Sequence, residues 1–462
     1  MTVHPMDMDA CALAGLVRAG TLDARDVAEA ALDRAAARNP GVNAICAIDP
    51  AATRAEAHAV AARLARGEDL PLAGVPVVIK DNIWVAGRTV TQGSRLFADF
   101  VAPADAAAVA RLRAAGAVIL GIGACSEFAC KGVTATPLHG ATRNPCDPAL
   151  TPGGSSGGCA AAVAAGIAPL ALGTDAGGSS RRPPAHVGIV GFKPSQDAIP
   201  YGPGFAEPFW GTSVLAPIAR SVADAAAMFA VLAGLPPARD PDPDLHDLRI
   251  AYAPTMGLPA VLDADVEAVC EAALTLLSRA GHRIERSAPR WPSGVDVAAL
   301  MPLQSAGLAA LYGDRWRSDP ALFDPDLGVQ IEAGLALSGA DVARALFASQ
   351  ATRDALRGFL GGVDLLLTPT TPCAAWPLDR LGPAMIGGAP AAPRDHAAFT
   401  PQANHAGVPA ISIPCGTTAE GLPLGLQIIA GAGRDRLALA AARAFETLFQ
   451  DAGATAPFQK AT

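Results

Sequence analysis

A chain of 462 residues, 51% hydrophobic and 17% charged with a net charge of −8, has enough apolar material for one large or two ordinary domains. The acidic balance and the lack of any lysine- or arginine-rich run argue against nucleic acid as a partner. No apolar stretch reaches the roughly 20 residues of a membrane span.

The opening run MTVHPMDMDACALAG is acidic where a secretory leader would be basic. Cysteines at 11, 46, 125, 130, 146, 159, 270, 373 and 415 form no CxxC and no metal-ligand spacing with histidine. They read as free, mostly buried thiols of a cytoplasmic protein without a metal. From Asp9 to Arg66 the pattern is helical, with Thr21 as an N-cap and Val27, Ala28, Ala31, Leu32 and Ala35 at helical spacing. Turn residues Pro71, Gly74 and Pro76 lead into a β-branched strand, Val77–Ile79, which Lys80 ends. A lysine there is either desolvated and so drawn toward its neutral form, or paired at the surface with Asp81 or another carboxylate.

Val109–Gly116 reads as a helix and Ala117–Leu120 as a strand. Gly121-Ile-Gly123 starts a dinucleotide-type pattern, but Ser126 stands where the third glycine belongs. Cys125-Ser-Glu-Phe128 follows. His139 lies in a loop, as a hydrogen-bonding residue or as a base.

Two glycine-serine clusters follow, GGSSGG at Gly153–Gly158 and GGSS at Gly177–Ser180. Paired glycines let backbone N–H groups converge on an anion or a developing oxyanion, and a serine in such a turn can serve as a nucleophile. The alanine-rich Ala160–Ala165 suits a helix ended by Gly166, and Pro169–Leu172 a short buried strand. Cys159 reads as a small apolar filler. One cluster thus opens a core helix and the other follows a core strand, so the two can meet in space.

Gly188–Pro194 is a further strand and turn. The segment Tyr201–Trp210 is unusually aromatic, and Tyr201, Phe205, Phe209 and Trp210 either line an acyl pocket or pack as a surface loop. Arg220–Asp224 opens a helix. Pro236–Pro243 reads as a linker, Leu248–Tyr252 as a strand and Ala264–Gly281 as an amphipathic helix. Residues 283–345 give no clear pattern. Asp364–Thr370 reads as a strand with a turn.

The clusters, taken with Gly74-Val-Pro-Val-Val-Ile-Lys80-Asp-Asn82, resemble the amidase signature family, whose members hydrolyse amides with a Ser–Ser–Lys triad. The family places one serine in GGSSGG and the nucleophile in GTDxGGS, here Ser155 and Ser179, 24 residues apart as the family requires. The likeness covers nearly the whole chain and is weak from Pro236 to Gly362. It implies an α/β fold with a large mixed sheet covered on both faces by helices. It also implies a single domain over 1–462: an N-terminal helical layer (1–70), a signature core (71–235) and a C-terminal half (236–462) that completes the sheet and pocket. By the same likeness Cys125-Ser-Glu-Phe128 is core and a wall of the site, and Phe399–Asn404, Gly407–Pro414 and Gly421–Gln427 complete the same sheet as late strands.

The implied chemistry is amide hydrolysis through a seryl acyl-enzyme. Ser179 is the nucleophile, Ser155 the proton relay and Lys80 the general base. The N–H groups of Ala176, Gly177, Gly178 and Ser179 form the oxyanion hole, and the Gly154–Ser155 peptide is cis. No cofactor is needed; the partner is a small amide, and a homodimer fits. Phe128, Arg182, Tyr201, Phe209 and Trp210 are the candidate substrate contacts. The family usually has an apolar residue at position 182. Arg182 either reads an acidic group on the substrate or pairs with a structural carboxylate.

Three other readings compete. Gly154-Ser-Ser-Gly-Gly158 matches the nucleophile elbow of α/β-hydrolases, with Ser156 as nucleophile and His396 or His405 downstream. The amidase subunit of a tRNA-dependent amidotransferase carries the same signature. Its glutamine-reading arginine and aspartate correspond here to Val329-Gln330 and Ala397. The third is a non-catalytic binding or scaffold protein.

Overall fold

Short aliphatic and β-branched runs bounded by glycine and proline become strands, and the alanine-rich amphipathic stretches become helices. The computed structural model describes residues 3–235, 245 and 247–454; the expected linker Pro236–Pro243 lies outside them. In chain order the strands are β1 (Ile45–Ala47), β2 (Pro76–Lys80), β3 (Val118–Gly123), the hairpin β4–β5 (Ala135–Thr136, Gly140–Ala141), β6 (Leu170–Asp175), β7 (Val190–Lys193), β8 (Val214–Ala219), β9 (Ile250–Tyr252), β10 (Ile284–Arg286), β11 (Leu365–Pro369), the hairpin β12–β13 (Met385–Ile386, Ala389–Pro390), β14 (Ala410–Thr417) and β15 (Pro423–Ala430). Eleven of them form one sheet in the order β1-β3-β2-β6-β8-β7-β14-β15-β11-β9-β10. β2 pairs parallel with β3 and β6, whereas β6, β8, β7, β14, β15 and β11 pair antiparallel in turn. The sheet is therefore mixed, and strands from both halves of the chain meet where β7 pairs with β14.

Alternation along the strands builds a core on each face. Val77, Ile79, Leu170 and Leu172 join one buried cluster, and Val78 and Ala171 join the other. The helices Val222–Ala233, Ala264–Arg279 and Asp435–Asp451 cover the first face; Ala24–Val42, Pro50–Ala65 and Gly157–Ala164 cover the second. Small residues matter at Gly157–Ala164. Cβ atoms on Gly157 and Gly158 would lie 2.4 Å from Thr134 Oγ1 and from the Ala124 carbonyl oxygen. The glycines let this helix start directly against the Thr134 side chain and the Ala124 backbone.

Several boundaries differ from the sequence reading. The N-terminal layer is helical but is interrupted by β1, a three-residue edge strand too short to show a period. The cap of Ala24–Val42 is Asp23, not Thr21; its carboxylate accepts from Arg25 N–H, where charge and helix dipole act together. Pro401–Ala406 is a short helix rather than a strand, with Pro401 in its first turn. The unread segment is also helical. Val297–Ser318 packs on both Pro325–Leu335 and Gly339–Leu360, and this helical cap lies beside the loop that follows β6. No helix among the described residues is long and apolar enough to cross a membrane.

Candidate active site

Lys80 ends β2 with its side chain fully buried. Its Nζ donates to Ser155 Oγ at 2.8 Å and to Thr174 Oγ1 at 2.7 Å, with the Thr174 carbonyl at 3.4 Å. Burial pulls its pKa down from 10.5 to about 8. The alternative of a surface pair with Asp81 does not hold. The Asp81 carboxylate turns away and accepts from the Thr91 and Gly93 N–H groups and the Thr91 hydroxyl. Cys46, Asp81 and His139 bring potential ligand atoms within 4.8 Å of one another. This group is bound internally, since His139 Nε2 meets Thr91 Oγ1 and the Cys46 thiol donates to the Ile122 carbonyl.

The two clusters do meet. Ser156 N–H donates to the Ser179 carbonyl at 3.3 Å. The Gly154–Ser155 peptide is cis, and a Cβ on Gly154 would lie 2.7 Å from Val133 backbone. Ser156 Oγ is turned into the core, 3.2 Å from both the Thr174 carbonyl and Ser180 Oγ. None of the described histidines is hydrogen-bonded to Ser155, Ser156 or Ser179. His396 bonds Arg182, His405 bonds Ser349 and His139 bonds Thr91.

Asp175 shapes the loop after β6. Its Oδ1 accepts from Gly178 N–H at 2.7 Å and its Oδ2 from Ser180 N–H at 3.2 Å. Arg181 holds both oxygens, at 2.9 and 3.0 Å, and Asn404 adds a further donor. Burial alone would raise the carboxyl pKa, but the Arg181 charge and these donors hold it well below the usual carboxylate range. Gly178 has φ +104°, and a Cβ there would lie 2.1 Å from Thr400 Oγ1, so only glycine fits. A Cβ on Gly177 would meet nothing nearer than Pro401 at 3.8 Å. Of the four expected oxyanion donors, Gly178 N–H is therefore engaged by Asp175. The N–H groups of Ala176, Gly177 and Ser179 have no acceptor among the described residues.

Ser179, 7% exposed, opens onto a cavity of about 80 Å³. Ala176, Gly177, Arg182 and Phe209 share its wall with Lys131, Met301, Gln304 and Arg394. The structure thus brings Arg182 and Phe209 to the serine and separates the other three aromatics from it. Phe128 stacks on Tyr312 at 4.0 Å inside the cap core. Tyr201 is 43% exposed and reaches only Ser213. Trp210 is 49% exposed, donates to the Leu303 carbonyl and faces a separate surface cleft. The second possibility for Arg182, a structural carboxylate, is not realised among the described residues; its Nη1 meets His396 Nδ1 at 2.9 Å. Sequence reasoning missed Thr174, Met301, Gln304 and Arg394. Thr174 lies inside the GTD run, and Arg394 had no local signal.

Comparison with known proteins places this geometry. The amidase family model matches residues 26–439. The chain is 35% identical over 468 residues to an acylamidase of Rhodococcus erythropolis, covering 96% of this chain and 95% of that one. It is 37% identical over 447 residues to a glutamyl-tRNA(Gln) amidotransferase subunit of Roseiflexus castenholzii, covering 89% of each. A solved bacterial aryl acylamidase of the amidase signature family superposes with a TM-score of 0.87 at 26% identity, over 97% of this chain and 99% of that chain. The chain belongs to the amidase family. It is a hydrolase of amide C–N bonds.

Proposed function

We propose that the protein hydrolyses a small carboxamide through an acyl-enzyme on Ser179, with Ser155 as proton relay and Lys80 as general base. The observation that carries this reading is the Lys80–Ser155 contact. A fully buried amine donates at 2.8 Å to a serine hydroxyl in the cluster that touches the Ser179 loop, and no carboxylate pairs with it among the described residues. Neutral Lys80 takes a proton from Ser155, which takes one from Ser179 as its Oγ bonds to the carbonyl carbon. The carbonyl oxygen, now negative, is held by the N–H groups of Ala176, Gly177 and Ser179. The proton returns along the relay to the departing nitrogen as the C–N bond breaks. Water then attacks the ester, and Ser179 recovers its hydrogen as the acid leaves.

A serine-directed fluorophosphonate tests the assignment. Mass spectrometry should find the probe on Ser179, and the protein should release ammonia or an amine from a small amide with chelator present. A label on Ser156, or activity lost to chelation and restored by zinc, refutes it.

The likeness to the amidotransferase relatives raises the second reading. A glutamine zwitterion needs an acid for its ammonium, and the wall of the cavity beside Ser179 has no carboxylate among the described residues. Free-standing hydrolysis is favoured on that ground. Nine free cysteines, six of them buried, support a cytoplasmic setting.

A further inference from the structure

The cavity beside Ser179 holds three cationic side chains, and they are treated differently. Lys131 is neutralised by Asp324 and Asp326. Arg182 and Arg394 have no carboxylate partner among the described residues. Arg182 is 4% exposed, its Nε is buried without an acceptor, and its one side-chain bond is to a histidine. It rests against the oxyanion loop: its backbone N–H donates to the Gly178 carbonyl at 2.8 Å, and a Cβ on Gly178 would lie 2.9 Å from its Nε. Arg394 donates only to neutral oxygens, the Cys130 carbonyl at 2.8 Å and Gln330 Oε1 at 3.2 Å.

Adjacent Arg181 is the internal contrast. It is equally buried, yet it is saturated by Asp175, Thr400, Gln427 and Asn404. The fold therefore can neutralise a guanidinium at this place, and at Arg182 it does not. Burial and the neighbouring Arg394 charge draw the Arg182 pKa down to about 9. A buried cation without a counter-ion is costly and calls for an anion.

We infer that Arg182 and Arg394 bind a carboxylate on the acyl part of the amide substrate, so that the enzyme acts on the monoamide of a small dicarboxylic acid. This rests on the amidase reading above and names its substrate class. Guanidinium forks match a carboxylate in plane and spacing. At about 80 Å³ the cavity is roughly half the ~150 Å³ that admits benzene, so the acyl chain is short. Arg182, Gly177 and Ser179 share its wall, which places the carboxylate only a few bonds from the scissile carbonyl.

The test compares three- to five-carbon dicarboxylic monoamides with the simple amides of equal length that lack the second carboxylate. Wild type should favour the carboxylated member of each pair in kcat/KM. In Arg394→Ala and Arg182→Gln that preference should fall about 10- to 100-fold, the range expected for losing a hydrogen bond between charged groups. The free dicarboxylate should slow fluorophosphonate labelling of Ser179 in wild type and lose this protection in Arg394→Ala. Labelling of Ser179 in each variant shows that its site is folded. If Ser179 is labelled and plain amides are cleaved, but the preference is absent or unchanged in both variants, the carboxylate site is refuted while the amidase reading stands. If Ser179 is not labelled and no amide is cleaved, the amidase reading falls and the carboxylate site with it.

Discussion

Replacing Lys80 with methionine separates a catalytic base from a structural cation. The unfolded chain holds this proton with a pKa near 10.5, and the folded site lowers it to about 8. The sign follows from linkage: between these values the unfolded state binds more protons than the native state, so wild-type stability rises with pH. At pH 7 the buried ammonium costs about 3 kcal/mol, at pH 9 about 2, and at pH 10.5 under about 0.5. Methionine removes that cost and also the bonds to Ser155 and Thr174, together about 2 kcal/mol. Lys80→Met should therefore be about 1 kcal/mol more stable than wild type at pH 7 and about 1–2 kcal/mol less stable at pH 10.5. Urea unfolding of both proteins at the two pH values reads the difference, and shared titrations cancel. In parallel, wild-type kcat/KM should rise about tenfold per pH unit below about 8 and then level, because only about one lysine in ten is neutral at pH 7. Lys80→Met and Lys80→Arg should lose the limb and most of the rate. A stability difference that does not change with pH, or near-normal activity in Lys80→Arg, refutes the reasoning.

The other residues give sharper contrasts in pairs. Ser179→Ala should lower kcat on the order of 10⁴-fold, and Ser155→Ala should also be severe. Ser156→Ala should cost about 1 kcal/mol of stability and under about tenfold in rate, because its hydroxyl serves only Thr174 and Ser180; a Ser156→Ala variant as inactive as Ser179→Ala overturns this. Gly178→Ala should abolish activity and lower the melting temperature, whereas Gly177→Ala should fold like wild type, given Pro401 at 3.8 Å. Equal melting temperatures for the two would show that the loop is not held as described. Asp175→Asn should lower stability by about 3–5 kcal/mol, since Arg181 loses its buried counter-ion. Chemical denaturation checks this value.

That Lys80 and the two serine clusters come together was legible because each lies in a short run with its own residue pattern. Gly154 and Gly158 lie against backbone from other segments and Gly157 against the Thr134 side chain, so each excludes a side chain of its own and the three leave a short glycine pattern. The cap was not legible. Val297–Ser318 contains Pro302 and packs against two other helices, so its apolar residues face several directions and show no single stripe. The pocket suffered most. Tyr201 and Trp210 read as site aromatics because of their company in sequence, yet both are about half exposed. Phe128 reads as core and as a wall of the site; it is core, stacked on Tyr312, and does not line the cavity. Arg394, in a loop after the β12–β13 hairpin and next to Asp395, reaches the site only through tertiary packing.

The two adjacent arginines show how one carboxylate can set both the loop and the charge of the cavity. Asp175 spends its oxygens on Arg181, Asn404 and the N–H groups of Gly178 and Ser180. Those bonds hold the turn that carries Ser179 and leave the Ala176, Gly177 and Ser179 N–H groups without an acceptor among the described residues. They also leave no oxygen for Arg182, one residue further along. Together with the desolvated Lys80, the site thus holds two buried basic groups, Lys80 and Arg182, without counter-ions among the described residues. Such an arrangement destabilises the fold by several kcal/mol, which the clusters on both faces of the eleven-stranded sheet must offset. In the proposed mechanism the features that weaken the fold would serve the reaction: Lys80 is drawn toward its neutral form, and Arg182 would keep its charge for the substrate carboxylate. Substitutions that relieve either should trade rate for stability, and at Lys80 and Arg182 that trade is expected to run in the same direction.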